Sequence, residues 1–207
     1  MAFRREDFVP SLASAPALAF IDSWPDWPVF AVALHGPSGS GKSHLAAIWA
    51  ARAHAKIFGM ADLFAKKWFP GPLVVEDVDS VPPDEKRDAF LFNLLEDAQP
   101  AAPILFTGRE PPTAWKTTLP DLASRFSALL AFPLWAPDDA MLAIIARKLF
   151  DDRQLAVPDA VIEKMVSSLE RSPAAIRDFV AHADERALAE GRGVTVALVR
   201  AMLAEGG

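Results

Sequence analysis

Short apolar runs alternate with amphipathic stretches through the first two-thirds of the chain, the pattern of a parallel sheet whose strands are joined by crossover helices. The apolar runs predict strands at Val29–Leu34, Lys56–Phe58, Leu73–Glu76, Ile104–Thr107 and Leu129–Leu134. Helices are expected between them at Lys42–Ala55, Pro83–Gln99 and Pro120–Phe126. In the second of these, Phe90, Leu94 and Leu95 recur at helical spacing and are expected to face the sheet.

After Ala136-Pro137 the pattern changes. Asp138–Phe150, Pro158–Leu169, Pro173–Glu190 and Thr195–Ala204 read as four helices with no strand between them. Asp138 and Thr195 are placed as N-caps, Pro158 and Pro173 suit first turns, and Gly191 suits a helix end. The expected fold class is α/β: a base domain over residues 1–135 with a five-stranded parallel sheet, then a small all-helical domain over residues 136–207.

Composition narrows the chemistry. Of 207 residues, 52% are apolar and 23% charged, enough for a core and too little charge for disorder. The net charge of -6 is spread evenly, with 12 basic and 15 acidic residues up to Trp135 and 9 and 12 beyond it. Autonomous, sequence-specific DNA binding through a basic face is therefore not expected. The absence of cysteine excludes disulfides, cysteine-zinc sites and thiol catalysis. His35, His44, His54 and His182 lack metal-ligand spacing. Arg4-Arg5 ahead of the uncharged run Phe8–Ile21 imitates a secretory signal, but Glu6, Asp7, Pro10 and Pro16 interrupt it. No uncharged apolar run reaches the roughly 18 to 20 residues of a bilayer span, so the expected location is the cytoplasm. Trp24, Trp27, Trp49, Trp68, Trp115 and Trp135 are read as core or boundary residues.

One segment carries specific chemistry. Gly36-Pro37-Ser38-Gly39-Ser40-Gly41-Lys42-Ser43 follows an apolar strand and opens a helix, the context of a phosphate loop. Small residues let the backbone curl until successive N–H groups converge on phosphate oxygens, and the helix start adds partial positive charge. Lys42 is placed to reach the β and γ phosphates, and the Ser43 hydroxyl to coordinate Mg²⁺. His44 sits beside this loop, as a nucleotide contact or as packing.

A magnesium–nucleotide site also needs acids at the end of a neighbouring strand, and Leu73-Val74-Val75-Glu76-Asp77 supplies two. One carboxylate serves the metal, partly through water, and the other orients or deprotonates the attacking water. The order is Glu then Asp, the reverse of many hydrolysing phosphate-loop enzymes, so slow intrinsic hydrolysis is expected. Asp79 is read as capping the following turn, and Arg109 as a solvated loop residue.

Two further segments carry a resemblance. Ile104-Leu105-Phe106-Thr107-Gly108-Arg109-Glu110-Pro111-Pro112 resembles the fourth-strand sensor segment of the DnaA replication initiator and its relatives. Leu119-Pro120-Asp121-Leu122-Ala123-Ser124-Arg125-Phe126 is similar to their arginine-finger helix, above all in the Hda regulatory-inactivator branch. Phe8-Val9, an alanine-rich helix and Trp24-Pro25-Asp26-Trp27-Pro28 resemble the N-terminal segment of alphaproteobacterial HdaA proteins.

The resemblance implies an AAA+ base and helical lid with adenine nucleotide, ATP or ADP, and Mg²⁺. It implies that Thr107 is sensor 1, that Arg177 is sensor 2, and that Phe8 and Val9 lie beside the adenine. Arg125 becomes the finger directed at another protein's nucleotide. Each has a plain alternative: Thr107 ends a strand, Arg177 is a surface arginine, and Arg125 pairs with Asp121 one turn back.

The implied function is negative regulation of replication initiation, with DnaA as partner and Arg125 completing DnaA's active site in trans. A nucleotide-ordered adaptor and a self-contained helicase-loader-like ATPase remain alternatives, and AAA+ self-association stays open. Family members usually carry a Gln-x-x-Leu-Pro-Leu-like segment that binds the DNA sliding clamp. This sequence starts Met1-Ala2-Phe3-Arg4-Arg5 and shows no such segment, leaving the clamp an open partner.

Overall fold

The computed structural model describes residues 14–63, 71–135, 137–169 and 171–205. Two compact units meet in sequence between Trp135 and Ala136. Among the described residues, the first holds strands β1 (Ala31–His35), β2 (Lys56–Gly59), β3 (Leu73–Glu76), β4 (Ile104–Gly108) and β5 (Leu130–Pro133). They form one sheet in the order β2-β3-β4-β1-β5, and every pairing is parallel.

The central strands β1, β3 and β4 read as nearly continuous apolar runs because both faces of the sheet are covered there. Side chains alternate between the faces. Val32, Leu34, Val74 and Leu105 join one core, and Ala33, Leu73, Val75, Ile104 and Phe106 join the other. The first core is closed by α1 (Ala15–Asp22) and α2 (Lys42–Ala53), with Trp27 and Trp49 stacked between them. Arg52 of α2 donates to the carbonyls of Ile21, Asp22 and Trp24, tying the end of α1 to α2. The second core is closed by α3 (Met60–Leu63), α4 (Glu85–Glu96) and α5 (Pro120–Ala128).

The buried line of α4 differs from the apolar reading of its sequence. Arg87, Asp88 and Leu91 are buried, whereas Phe90, Leu94 and Leu95 are only partly covered against the same core. A salt-bridged pair therefore occupies positions that apolar spacing does not mark. Trp27, Trp49 and Trp115 are core residues, Trp24 is partly buried and Trp135 is 65% exposed; Trp68 lies outside the described residues.

The second unit consists, among its described residues, of α6 (Asp139–Asp151), α7 (Asp159–Ser168), α8 (Pro173–Glu190) and α9 (Val196–Glu205) around one apolar cluster. Asp138 caps α6 by accepting from the Met141 N–H at 2.8 Å, and Thr195 accepts from the Leu198 N–H at 3.2 Å. Ser172, not singled out by the sequence, caps α8 through the Ala175 N–H at 3.1 Å, with Pro173 in the first turn. Pro158 is the N-cap of α7 rather than its first helical residue. Gly191 ends α8 at φ 62°, a left-handed conformation that suits glycine.

Candidate functional site

The site is assembled at the carboxyl end of the central strands. β1 ends at His35 and the chain turns at once through Gly36–Gly41 into α2. Gly36 adopts φ 147°, and a Cβ there would lie 1.8 Å from the Leu134 carbonyl oxygen. That oxygen is fixed because the Leu134 N–H donates to His35 at 2.7 Å, while the Gly36 N–H donates to Gly108 at 3.2 Å. Gly41, at φ 95°, opens α2, and no side chain caps the helix. Uncapped first-turn N–H groups behind a glycine loop form a donor set suited to an anion.

Lys42 is buried, and its Nζ donates to the carbonyls of Gly36 at 2.7 Å and Pro37 at 2.9 Å. Burial lowers its pKa, opposed by the carboxylates of Asp77, Asp79 and Glu76, while the Arg109 charge pushes the same way as burial. One ammonium group thus lies within electrostatic reach of all three acids of the β3 end. His35 at the strand end is likewise lowered, by burial and by Lys42, against Glu110. Ser38 and Ser43 are exposed, His44 is buried, and the buried Ser40 Oγ makes no hydrogen bond.

β3 delivers Glu76 at its end and Asp77 just beyond. Asp77 sits at φ 52°, ψ 51°, a left-handed conformation that Asp tolerates but does not favour. Three bonds hold it there. Its N–H donates to the Thr107 hydroxyl at 3.1 Å, and its carbonyl accepts from the Ser80 N–H at 2.9 Å and hydroxyl at 2.6 Å. Thr107 is the next-to-last residue of β4 and is buried, and its hydroxyl fixes the neighbouring acid.

Asp79 does not cap its own turn. Its carboxylate accepts the backbone N–H groups of Arg109 and Glu110, each at 2.8 Å, and so ties the β3 turn (Val78–Ser80) to the loop after β4. Arg109 is exposed in side chain but anchored in backbone.

The donor set suits magnesium. Ser43, Glu76 and Asp77 offer a hydroxyl and carboxylates, hard oxygen ligands that Mg²⁺ takes together with phosphate and water. No group of three or more His, Asp or Glu that could hold a metal occurs among the described residues, and this mode of binding needs none.

The other sequence candidates stand on other elements. Arg125 stands on α5 with its side chain 40% exposed, in an ion pair with Glu96 on the last turn of α4. Its guanidinium lies 4.8 Å from the centre of the Phe92 ring. The partner is Glu96 rather than Asp121, because α4 packs alongside α5 and presents its end to Arg125. Arg177 is half-buried on α8 of the second unit, a turn past the Ser172 cap. Phe8 and Val9 lie outside the described residues.

The sequence reading missed Arg87 and Asp88. Their side chains pair at 2.8 Å, and Arg87 also donates to the carbonyls of Lys116 at 2.9 Å and Val78 at 3.1 Å. Burial would raise the Asp88 pKa, but the Thr118 N–H and hydroxyl, the Thr117 hydroxyl and the Arg87 charge together hold it below its ordinary value. The available signal was two charges on the sheet-facing stripe of a helix.

No protein-family model matches the sequence, and no curated protein matches it significantly. Solved structures do match. Domain III of the Thermotoga maritima replication initiation protein DnaA superposes with a TM-score of 0.79 at 16% identity, covering 98% of this chain and 96% of that one. AMPPCP-bound DnaA from Aquifex aeolicus gives 0.70 at 14% identity, over 87% of this chain and 64% of that one. The Thermotoga maritima RuvB Holliday junction branch migration motor gives 0.70 at 15%, over 98% and 71%. The fold is the one these structures share, a parallel α/β unit with a glycine loop after β1, followed in sequence by a small helical unit. No helix among the described residues is long and apolar enough to cross a membrane.

Proposed function

We propose that this chain is an adenine-nucleotide-binding AAA+ regulator of replication initiation that stimulates hydrolysis of DnaA-bound ATP in trans through Arg125. The observation that carries the reading is Arg125 itself: a solvent-accessible guanidinium on α5, in the Leu119–Phe126 motif, held only by an exposed pair with Glu96 and the Phe92 ring among the contacts of the described residues. The DnaA structures that share the fold include forms bound to AMPPCP, which supports an adenine nucleotide, ATP or ADP, for the loop Gly36–Ser43 and Lys42.

Under this reading the chain's own nucleotide orders the protein. Thr107 and Arg177 act as sensors of the nucleotide, Phe8 and Val9 flank the adenine, and Ser43, Glu76 and Asp77 hold Mg²⁺, which neutralises phosphate charge when bound. Asp77, fixed by Thr107, is the group placed to orient water, and the Glu76-Asp77 order keeps intrinsic turnover slow.

Arg125 is free to change partners at low cost. An exposed ion pair such as Arg125–Glu96 contributes about 0 to 1 kcal/mol, and a cation–π contact about 0.5 to 1 kcal/mol. A finger inserted at a transferring phosphate is worth roughly 10³ to 10⁵ in rate. The triphosphate of a partner therefore outcompetes Glu96 once docking brings it within reach.

The test is hydrolysis of radiolabelled ATP pre-loaded on DnaA, with this protein added in the presence and absence of DNA-loaded sliding clamp. Accelerated turnover that Arg125→Ala abolishes supports the reading, and the clamp arm decides whether the clamp is a partner. Unchanged DnaA turnover under both conditions, with nucleotide still bound by this chain, overturns it in favour of a nucleotide-ordered adaptor.

A further inference from the structure

The buried Arg87–Asp88 pair of α4 bridges the turn after β3 and the loop before α5. Arg87 reaches the Val78 carbonyl, in the turn one residue past Asp77, and the Lys116 carbonyl in the loop before α5. The same pair fixes the entry to α5. Asp88 Oδ2 accepts from the Thr117 hydroxyl at 2.9 Å, the Thr118 hydroxyl at 2.8 Å and the Thr118 N–H. Thr117 in turn accepts from the Leu119 N–H at 3.0 Å, and Leu119 is the N-cap of α5, the helix that bears Arg125.

Stability alone does not account for this arrangement. Arg87 is 1% exposed and Asp88 fully buried, and Arg87 Nε makes no hydrogen bond at all. Well-packed apolar residues of similar volume would hold α4 to the sheet as firmly as a buried ion pair. What they could not supply is direction: five hydrogen bonds fixing the orientation of the acid-bearing turn and of the start of α5.

We propose that Arg87 and Asp88 are positioning residues that lock the start of the Arg125 helix to the turn bearing Asp77, so that the nucleotide site and the finger move as one body. The inference rests on the reading of Arg125 as a finger. It adds the route within the first unit by which the order of the β3 end sets the aim of that finger. A misplacement of about 1 Å at a reacting centre can cost about a hundredfold in rate, so a loosened seat for α5 lowers the stimulated rate without touching the guanidinium.

The experiment uses the full chain and two double variants in the assay of DnaA-bound ATP. T117V with T118V removes both hydroxyls from Asp88 while leaving the buried ion pair and the Thr118 N–H in place. T117S with T118S keeps the hydroxyls. For the valine pair the expected result is a maximal stimulated rate lowered about tenfold or more, with the half-maximal concentration and this chain's own nucleotide Kd within about twofold of the parent. The serine pair restores the parent rate.

A valine pair that stimulates like the parent overturns the inference. So does a valine pair whose loss follows falling Tm and is shared by the serine pair, since that is a merely structural role. If Arg125→Ala still stimulates, the finger reading itself fails and takes this inference with it.

Discussion

The backbone N–H of Asp77 donates to the buried hydroxyl of Thr107 at 3.1 Å, so the ends of two adjacent parallel strands are fastened at the acid of the candidate site. Asp77 holds a left-handed conformation there, and a residue in that region persists when its surroundings over-determine it. Thr107 on the N–H side and Ser80 on the carbonyl side thus set the backbone conformation at the strand-end acid.

Thr107→Val keeps the shape of that side chain and removes the acceptor. The unfolding free energy is expected to fall by about 1 kcal/mol, the net worth of one hydrogen bond. Thr107→Ser keeps the hydroxyl and should cost less. Urea unfolding followed by far-ultraviolet circular dichroism distinguishes the two; equal losses would mean that the Thr107 hydroxyl does not stabilise the Asp77 turn.

Two glycines with positive φ should respond very differently to alanine. At Gly191 no atom lies within 4 Å of an added Cβ, so Gly191→Ala meets only the left-handed backbone cost of about 1 to 2 kcal/mol. At Gly36 the added carbon would sit 1.8 Å from a backbone oxygen, and the loop or the sheet edge must shift. Gly36→Ala is expected to cost about 4 kcal/mol or more, in the range reserved for severe lesions, and to abolish nucleotide binding. Calorimetric unfolding and titration with a fluorescent nucleotide check both.

Removing one member of the Arg87–Asp88 pair leaves the other buried and uncompensated. Arg87→Ala and Asp88→Ala are each expected to destabilise by about 3 to 5 kcal/mol. The pH dependence follows in sign. Asp88 is held below its ordinary value of 3.8, so its contribution is present above that value and is lost as pH falls through the lower folded-state value. The parent should lose this increment on acidification below about 3.8, and Asp88→Ala should show a flatter acid limb in pH-dependent urea unfolding.

Glu96→Gln tests the counter-ion of the finger. Both side chains are about half exposed, so the stability change should be under about 1 kcal/mol. Without the carboxylate, Arg125 loses its charged partner and keeps the Phe92 ring, and the concentration giving half-maximal stimulation of DnaA-bound ATP hydrolysis should fall severalfold. A rise instead would mean that Glu96 aims the guanidinium rather than restrains it. Added salt should shrink the difference between parent and variant, because screening weakens the exposed pair itself.

The strands and the glycine turn into α2 were legible because their signals are local: short apolar runs, and glycines at fixed spacing before Lys42. Strand-end acids and helix caps at Asp138 and Thr195 were legible for the same reason. What escaped the sequence depends on contacts across about thirty positions. Asp79 reads as a turn cap until β4 brings the Arg109 and Glu110 N–H groups to it. Asp88 carries no local signal of its partners, because Thr117 and Thr118 lie about thirty positions away. Arg125 found Glu96, not the acid on its own helix, for the same long-range reason.

The tryptophan packing on α2 has an optical consequence. Trp27 and Trp49 stack with ring centres 4.9 Å apart and planes 12° from parallel, and Trp24 meets them edge-on at 5.2 and 5.7 Å. The chain has no tyrosine, so its near-ultraviolet absorption belongs almost wholly to indole. Rings this close share their excited states, and the resulting exciton couplet depends on their mutual angle. α2 begins at Lys42, so any tilt of the helix that opens from the glycine loop is written into that couplet, and the molecule carries an intrinsic chromophore for the proposed nucleotide site.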